Sequence, residues 1–281
     1  MAPEPAAHGG GRAVTLARLG PLGRLPLQLV LPVGLVTLWW WTSRDSTSYL
    51  FPPLADIVES LRDDWLHGRV SSDLWPSLRR FGLGYLIAAM AGVVAGTAIG
   101  LAPRLRRTTQ PVTEFVRSIP SPLLFPVALV LFGIGDGSKV ALIVLGSVWP
   151  VLLNTVDGVR GVDQQVLDVA RSFRLGPWLR ITRVILPAAG PKIAAGLRIG
   201  LSVALLLMVV SEMRGGTNGL GFQIRSDQRS FDTASSYAGV IVIGLIGLVV
   251  NLLFVAVESR VMRWHRGARA GGLSETPGLL R

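Results

Sequence analysis

The sequence predicts an all-α integral membrane protein with six transmembrane helices and both termini on the inner side. Three observations carry that prediction. Half of the 281 residues are hydrophobic, only 16% are charged, and mean hydropathy is +0.50; a soluble globular domain carries nearer to about a quarter charged residues. Two runs, 81–103 and 233–257, hold 23 and 25 residues without a charge, each enough to cross a bilayer at about 1.5 Å per residue. Lys and Arg are unevenly spread. Three lie before residue 25, four in 104–117, seven in 160–198 and five in 260–281, so 19 of 28 fall on the side this model calls inside.

The net charge of +11 is scattered in small clusters beside apolar runs. That is the pattern of span flanks in a lipid bilayer, and no nucleic-acid partner is expected. The absence of cysteine excludes disulfides, thiolate metal sites and a cysteine nucleophile. Arg far outnumbers Lys, which fits a GC-rich bacterial genome.

In chain order, residues 1–24 are rich in Ala, Gly and Pro and read as a disordered cytoplasmic tail. Residues 25–43 are uncharged and end in Trp39-Trp40-Trp41, an aromatic anchor. The run is long for a signal peptide and no small-x-small cleavage site follows, so it reads as an uncleaved first span. Residues 48–68 read as an external amphipathic helix, with Leu54, Ile57, Val58, Leu61, Trp65 and Leu66 at helical spacing. Its acids Asp56, Glu59, Asp63 and Asp64 read as solvated.

The remaining spans are placed at 81–103, 118–135, 140–156, 192–213 and 233–257. On the first of these Gly92, Gly96 and Gly100 recur every four residues, a small-residue ridge that lets another helix approach. Pro120, Pro122 and Pro126 should bend or interrupt the start of the 118–135 span. Irregular backbone at that depth is tolerated in protein or along a cavity, so Pro122 and Pro126 are candidate pathway residues. Glu212 and Arg198 flank only 13 uncharged residues, and both can reach an interface by snorkelling. Glu212 is also a candidate gate residue. Gly215, Gly216, Gly219 and Gly221 mark 214–232 as an external loop, and 261–281 is a basic cytoplasmic tail.

Between two apolar runs lies the charged segment 163–191. Val166, Leu167, Ala170 and Phe173 share a helical face, Asp163 is placed to cap it, and Gly176-Pro177 stops it. A second short helix carries Trp178, Ile181, Val184 and Ile185 and ends at Leu186-Pro187. Two such stripes cannot both be buried, so one face, centred on Ala170, is left for a partner's groove.

This segment resembles the cytoplasmic EAA loop of binding-protein-dependent ABC permeases. The triplet reads Asp168-Val169-Ala170, and Ile185-Leu186-Pro187 closes it at the expected distance. Arg171-Ser172 and Trp178 resemble the branch importing sulfonates, taurine, nitrate and thiamine precursors. Arg174 stands at the motif Gly, with Gly176 two residues on, so the loop is expected to turn later. The resemblance continues from about Trp75 to Trp264, through Ser77-Leu78-Arg79-Arg80, Leu131-Phe132-Gly133-Ile134-Gly135, Asn154-Thr155, Gly196-Leu197-Arg198, Glu212-Met213 and Gly219-Leu220-Gly221.

The resemblance implies a type I importer permease domain over 73–260, acting with two ABC ATPase subunits, an extracytoplasmic solute-binding protein and a second permease copy, most simply a homodimer. It implies a bacterial plasma-membrane location, and no cofactor on this chain; ATP and Mg²⁺ would sit on the ATPases. The ATPase-coupling residues it marks are Asp168, Val169, Ala170, Arg171, Arg174, Leu175, Gly176, Leu186 and Pro187. There is no GxxxxGK[ST], and Gly133-Ile134-Gly135-Asp136-Gly137 follows no strand. An intramembrane enzyme would need a base in a span, but His8, His67 and His265 lie outside them and Ser147 has no partner base. An ion-coupled carrier would need mid-membrane ionisable groups, which the predicted spans lack.

Overall fold

The computed structural model describes residues 21–66 and 68–262. Most of the two predicted tails (1–20 and 263–281), and His8, His67 and His265, lie outside the described residues. Among the described residues every regular element is helical. The chain divides into two units, one ending at Asp56 and one beginning at Ile57.

In the first unit α1 (Pro21–Ser43) exposes Val30, Leu31, Leu35 and Trp41. It is followed by a compact turn in which Ser46 Oγ donates to the Phe51 carbonyl at 2.7 Å and Leu54 N–H donates to Ser43 Oγ at 3.2 Å.

α2 (Leu54–Ser60) runs into the second unit and buries Ile57. The predicted 48–68 helix therefore starts only at Leu54, because Pro52-Pro53 holds the preceding backbone out of the helical region. Asp64 is not simply solvated: it accepts from Ser235 Oγ at 2.9 Å and pairs with Arg69 at 3.4 Å.

Then follow α3 (Trp75–Leu101), α4 (Pro103–Ser118), a 3₁₀ turn (Ser121–Leu124), α5 (Phe125–Phe132) and α6 (Asp136–Arg160). After α7 (Gln164–Ser172) come α8 (Pro177–Arg180), a π-turn (Ile181–Ile185) and α9 (Leu186–Gly215), and last α10 (Leu220–Arg229) and α11 (Thr233–Val261). Among the described residues four helices are long and apolar enough to cross a membrane: Val70–Leu101, Asp136–Arg160, Pro177–Gly215 and Thr233–Val261. A bent pair, Pro103–Ser118 with Ser121–Phe132, makes a fifth if counted as one span, beside the shorter apolar helix Val30–Ser43. That count is compatible with six crossings. The most apolar stretch of α11, of mean hydropathy 3.0, has none of its residues buried; a helix apolar all round and unburied by protein is one that lipid covers.

The start of the 118–135 run is interrupted at its prolines, as their cluster implied: the chain bends by 91° between α4 and the segment that begins with the 3₁₀ turn. Pro120 is extended (φ −57°, ψ 116°), and prolines cannot supply the N–H bonds a continuous helix needs there. Two other expectations are corrected. Leu186-Pro187 does not end a helix. Just before it Leu186 N–H reaches back to the Ile181 carbonyl, five residues away, and this wider turn lets the Pro187 ring in without a break. Finally, 214–232 is not all loop. Once past Gly219 it forms α10, which buries Leu220, Ile224 and Asp227. Burial pushes the Asp227 carboxyl up from its ordinary value, opposed by Arg69 at 3.1 Å and by Gln223.

The core is a three-helix stack with α6 in the middle. On one side the ridge of α3 packs against it: a Cβ on Gly92 would meet Val151 Cβ at 2.7 Å, and one on Gly100 would meet Val159 Cβ at 2.9 Å. The small-residue ridge thus serves as the sequence implied, with Gly84 and the fully buried Ala88 extending it. On the other side Gly196 and Gly200 of α9 approach Asn154 and Val151 equally closely. Lipid-embedded helices gain little from burying apolar surface, so close backbone packing of this kind has to hold them.

Candidate functional site

Two constellations stand out, one at each end of α6. At its C-terminal end is the 163–191 loop. Asp163 caps α7 by accepting from Gln165 N–H at 2.9 Å. The helix ends in a Schellman turn: Leu175 N–H donates to the Ala170 carbonyl at 3.1 Å and Arg174 N–H to the Arg171 carbonyl at 2.8 Å. Arg174 holds φ +51°, whereas Gly176 is extended at φ −59°. The loop therefore turns at Arg174 itself and not later at Gly176, as the sequence suggested; the bonding pattern, not the residue type, decides the turn.

A non-glycine residue in that left-handed region costs roughly 1 kcal/mol. Arg174→Gly is accordingly expected to raise the thermal midpoint slightly and leave uptake intact, as read by thermal unfolding and transport of the variant.

The faces of α7 also differ from expectation. Ala170 is 3% exposed, so it is not the centre of a free face. It is turned inward, as is Leu167, which packs on the cluster of Val159, Ile185 and Ala189. What remains outside is a ridge of Val166, Val169 and Phe173, with Trp178 beyond the turn; Phe173 and Trp178 are each 76% exposed. Asp168 and Arg171 pair at 3.0 Å on the exposed side, while Leu186 and Pro187 are half-buried.

At the other end of α6 the sequence named Glu212 alone. The structure corrects its snorkelling: Glu212 is 0% exposed, and both its oxygens are occupied. Ser77 Oγ donates to them at 2.8 Å, Arg80 Nη1 at 2.7 Å and Gly221 N–H at 3.1 Å. Arg80, 3% exposed, also donates to Asp136 at 2.7 Å and to the Asn218 side chain at 2.6 Å. Arg79 reaches Asp136 at 2.5 Å. Gly219, at φ +114°, sits where a Cβ would strike the Glu212 carboxylate at 2.5–2.6 Å. Buried charges of this sort persist only when every lone pair and proton is met, and the fold meets them from α3, α6, α9 and the 215–221 turn. The signal was present in the sequence as separate stretches, Ser77–Arg80, Glu212 and Gly219–Gly221, and only the fold joins them.

Arg198 does not simply snorkel either, since it pairs with Glu258 of α11 and lies 5.9 Å from the Phe254 ring centre. Pro122 falls in the 3₁₀ turn at the bend and Pro126 in the first turn of α5.

The family model for the binding-protein-dependent transport system inner membrane component matches residues 88–263. The chain belongs to this family. It is a permease, the membrane-embedded transport subunit of an ABC importer, and not an enzyme. The taurine transport permease TauC of Escherichia coli K12 is 33% identical to it over 256 residues, 87% of this chain and 92% of the relative. The putative aliphatic sulfonates permease SsuC of Bacillus subtilis 168 is 30% identical, over 84% of this chain and 87% of the relative. The nitrate import permease NrtB of Leptolyngbya laminosa is 32% identical over 186 residues, 66% of this chain and 67% of the relative.

Among solved structures, the inward-facing MetNI methionine ABC transporter aligns at TM-score 0.57 and 17% identity, over 68% of this chain and 93% of that one. An amino acid ABC transporter aligns at TM-score 0.52 and 18% identity, over 78% and 99%. Both likenesses show the fold. The family implies ATPase and binding-protein partners, and no cofactor on the permease itself.

Proposed function

We propose that the permease is driven through the 163–191 loop, whose ridge of Val166, Val169, Phe173 and Trp178 seats in a groove on an ABC ATPase subunit. The observation that carries this reading is that apolar ridge, left uncovered by the permease on a short capped helix. Ala170 is buried and Leu175, Leu186 and Pro187 half-buried on the loop's inner side, while Asp168, Arg171, Arg174 and Gly176 shape its rim and turn. Two ATPase subunits would carry ATP and Mg²⁺, and a second copy of the permease would complete a homodimer. An extracytoplasmic binding protein would deliver solute at the opposite end. With the loop and both termini cytoplasmic, the chain sits in a bacterial plasma membrane; the prevalence of Lys and Arg in the inner segments supports that orientation.

Sulfonate, taurine and nitrate, in the relatives' names, share an oxyanion head. They support a small oxyanion as the transported solute over a thiamine-precursor-like heterocycle. The 91° bend at Pro120, with Pro122 and Pro126 beside it, is proposed to border the pathway. Glu212 is proposed as the fixed point of the outer gate.

The test is Phe173→Asp and Val169→Asp. Each puts a charge into the proposed contact and is expected to cost at least about 2 kcal/mol of association, roughly a thirtyfold loss. Membrane insertion should be unchanged, because neither side chain is buried in the permease. Co-purification of the ATPase and uptake are the readouts; normal levels of both in the two variants would remove the loop from its coupling role.

A further inference from the structure

Three cations, Arg79, Arg80 and Lys139, converge at the N-terminal end of α6 with two carboxylates, Asp136 and Glu212, while a third, the buried Asp73, accepts from Gly219 N–H at 2.8 Å on the turn beside them. Arg80 takes Glu212 and one oxygen of Asp136, and Arg79 takes the other. Lys139 is left over. It is 2% exposed, its ammonium reaches Asp136 only at 4.0 Å, and no hydrogen bond from it is formed among the described residues. Its side chain is enclosed, but the ammonium opens on an adjoining cavity and keeps its protons to donate there.

Lys139 lines a cavity of about 330 Å³, together with Arg79, Arg80, Thr217 and Asn218. The start of α6 opens on the same space: Gly135 and Asp136 line it, and no side chain caps that helix. The uncapped first turn of a 25-residue helix therefore adds its unpaired N–H groups and positive dipole end to the ammonium. Thr217 contributes a hydroxyl free of any side-chain bond among the described residues. The chemistry is that of an anion site: the lining holds three cations and the single carboxylate of Asp136, with a hydroxyl and a helix N-terminus beside them.

We propose that this cavity binds one small monovalent oxyanion, such as a sulfonate, with Lys139 as its charge partner. The site lies roughly 36 Å along α6 from the 163–191 loop, at about 1.5 Å per residue. It is thus placed at the end of the bundle where solute would enter and not where ATPases would dock. The choice of sulfonate rests on the substrate class proposed above; the anion site itself rests on the geometry.

The test uses the purified full-length chain in detergent, with neither ATP nor binding protein. Sodium methanesulfonate is titrated against sodium chloride at matched ionic strength, and the thermal midpoint is followed. The wild type is expected to gain a saturable rise with methanesulfonate beyond that with chloride. Lys139→Met, which removes the charge but keeps a side chain of similar length, should raise the half-saturating concentration by on the order of tenfold or more. Thr217→Val keeps all the charges and should raise it by about two- to tenfold. It also serves as the second measurement if Lys139→Met does not fold.

Equal responses to the two salts in the wild type would overturn the proposal, as would an undiminished methanesulfonate response in both variants. Because no ATPase is present, failure here leaves the coupling loop untouched. If the solute class were misassigned, uptake assays would show that separately.

Discussion

Arg80→Met and Glu212→Leu, made singly, are each expected to destabilise the permease severely, and the two together to be less harmful than the sum of the singles. Removing either member leaves the other charged, enclosed and short of its main partner, at a cost of about 3–5 kcal/mol. Total stabilities are typically only about 5–15 kcal/mol, so either single should collapse the yield of folded protein. In the double variant no charge of that pair remains, and an apolar pair of similar volume can fill the space at little net cost. Asp136 keeps Arg79 in either case.

Thermal unfolding and the monodisperse fraction on size exclusion give the readout. Strict additivity of the two effects would show that Arg80 and Glu212 are not coupled. A transport defect in Glu212→Leu without loss of stability would return this residue to a purely functional role.

How much of this could be read from the sequence depends on how local the cause was. The α3 ridge was legible because Gly92, Gly96 and Gly100 fall on one helical line and need no knowledge of their partner. The Asp163 cap was legible for the same reason: donor and acceptor are two residues apart. The turn at Arg174 was not, since a left-handed Arg is held by the bonds of its neighbours to the Arg171 and Ala170 carbonyls, against its own preference. The inward turn of Ala170 was also hidden. A helical wheel groups Ala170 with Val166 and Phe173, but the cluster of Val159, Ile185 and Ala189 decides which edge of that broad stripe is covered.

Least legible was the charged network, because Ser77, Arg80, Asp136 and Glu212 lie up to 135 residues apart. Each charge taken alone reads as an interfacial residue beside an apolar run. Lys139 counted as one more outer positive charge, although the fold buries it.

Gly96→Leu is expected to separate α3 from α6 and abolish folded permease, whereas Gly82→Ala on the same helix should be harmless. A Cβ at Gly96 would lie 2.7 Å from Thr155 Cβ and 2.8 Å from the Leu152 carbonyl oxygen, while a Cβ at Gly82 would meet nothing within 4 Å. The Leu152 carbonyl is backbone in the middle of α6, and Thr155 is pinned by its own bond to the Val151 carbonyl at 2.7 Å. Neither can yield as the tip of a side chain would. Overpacking a filled site costs about 1–3 kcal/mol for small insertions, which is the range for Gly96→Ala; the three further carbons of leucine have to force the helices apart. Parting them also undoes the close contacts at Gly92 and Gly100, one turn away on either side, and these are what hold helices together where lipid competes for every apolar surface. Gly82→Ala gains helix propensity without a new contact. Protein yield and thermal midpoint of the two variants in one detergent are the measurement. If Gly96→Leu folds as well as Gly82→Ala, the ridge is a tolerated composition and not the seam of the bundle.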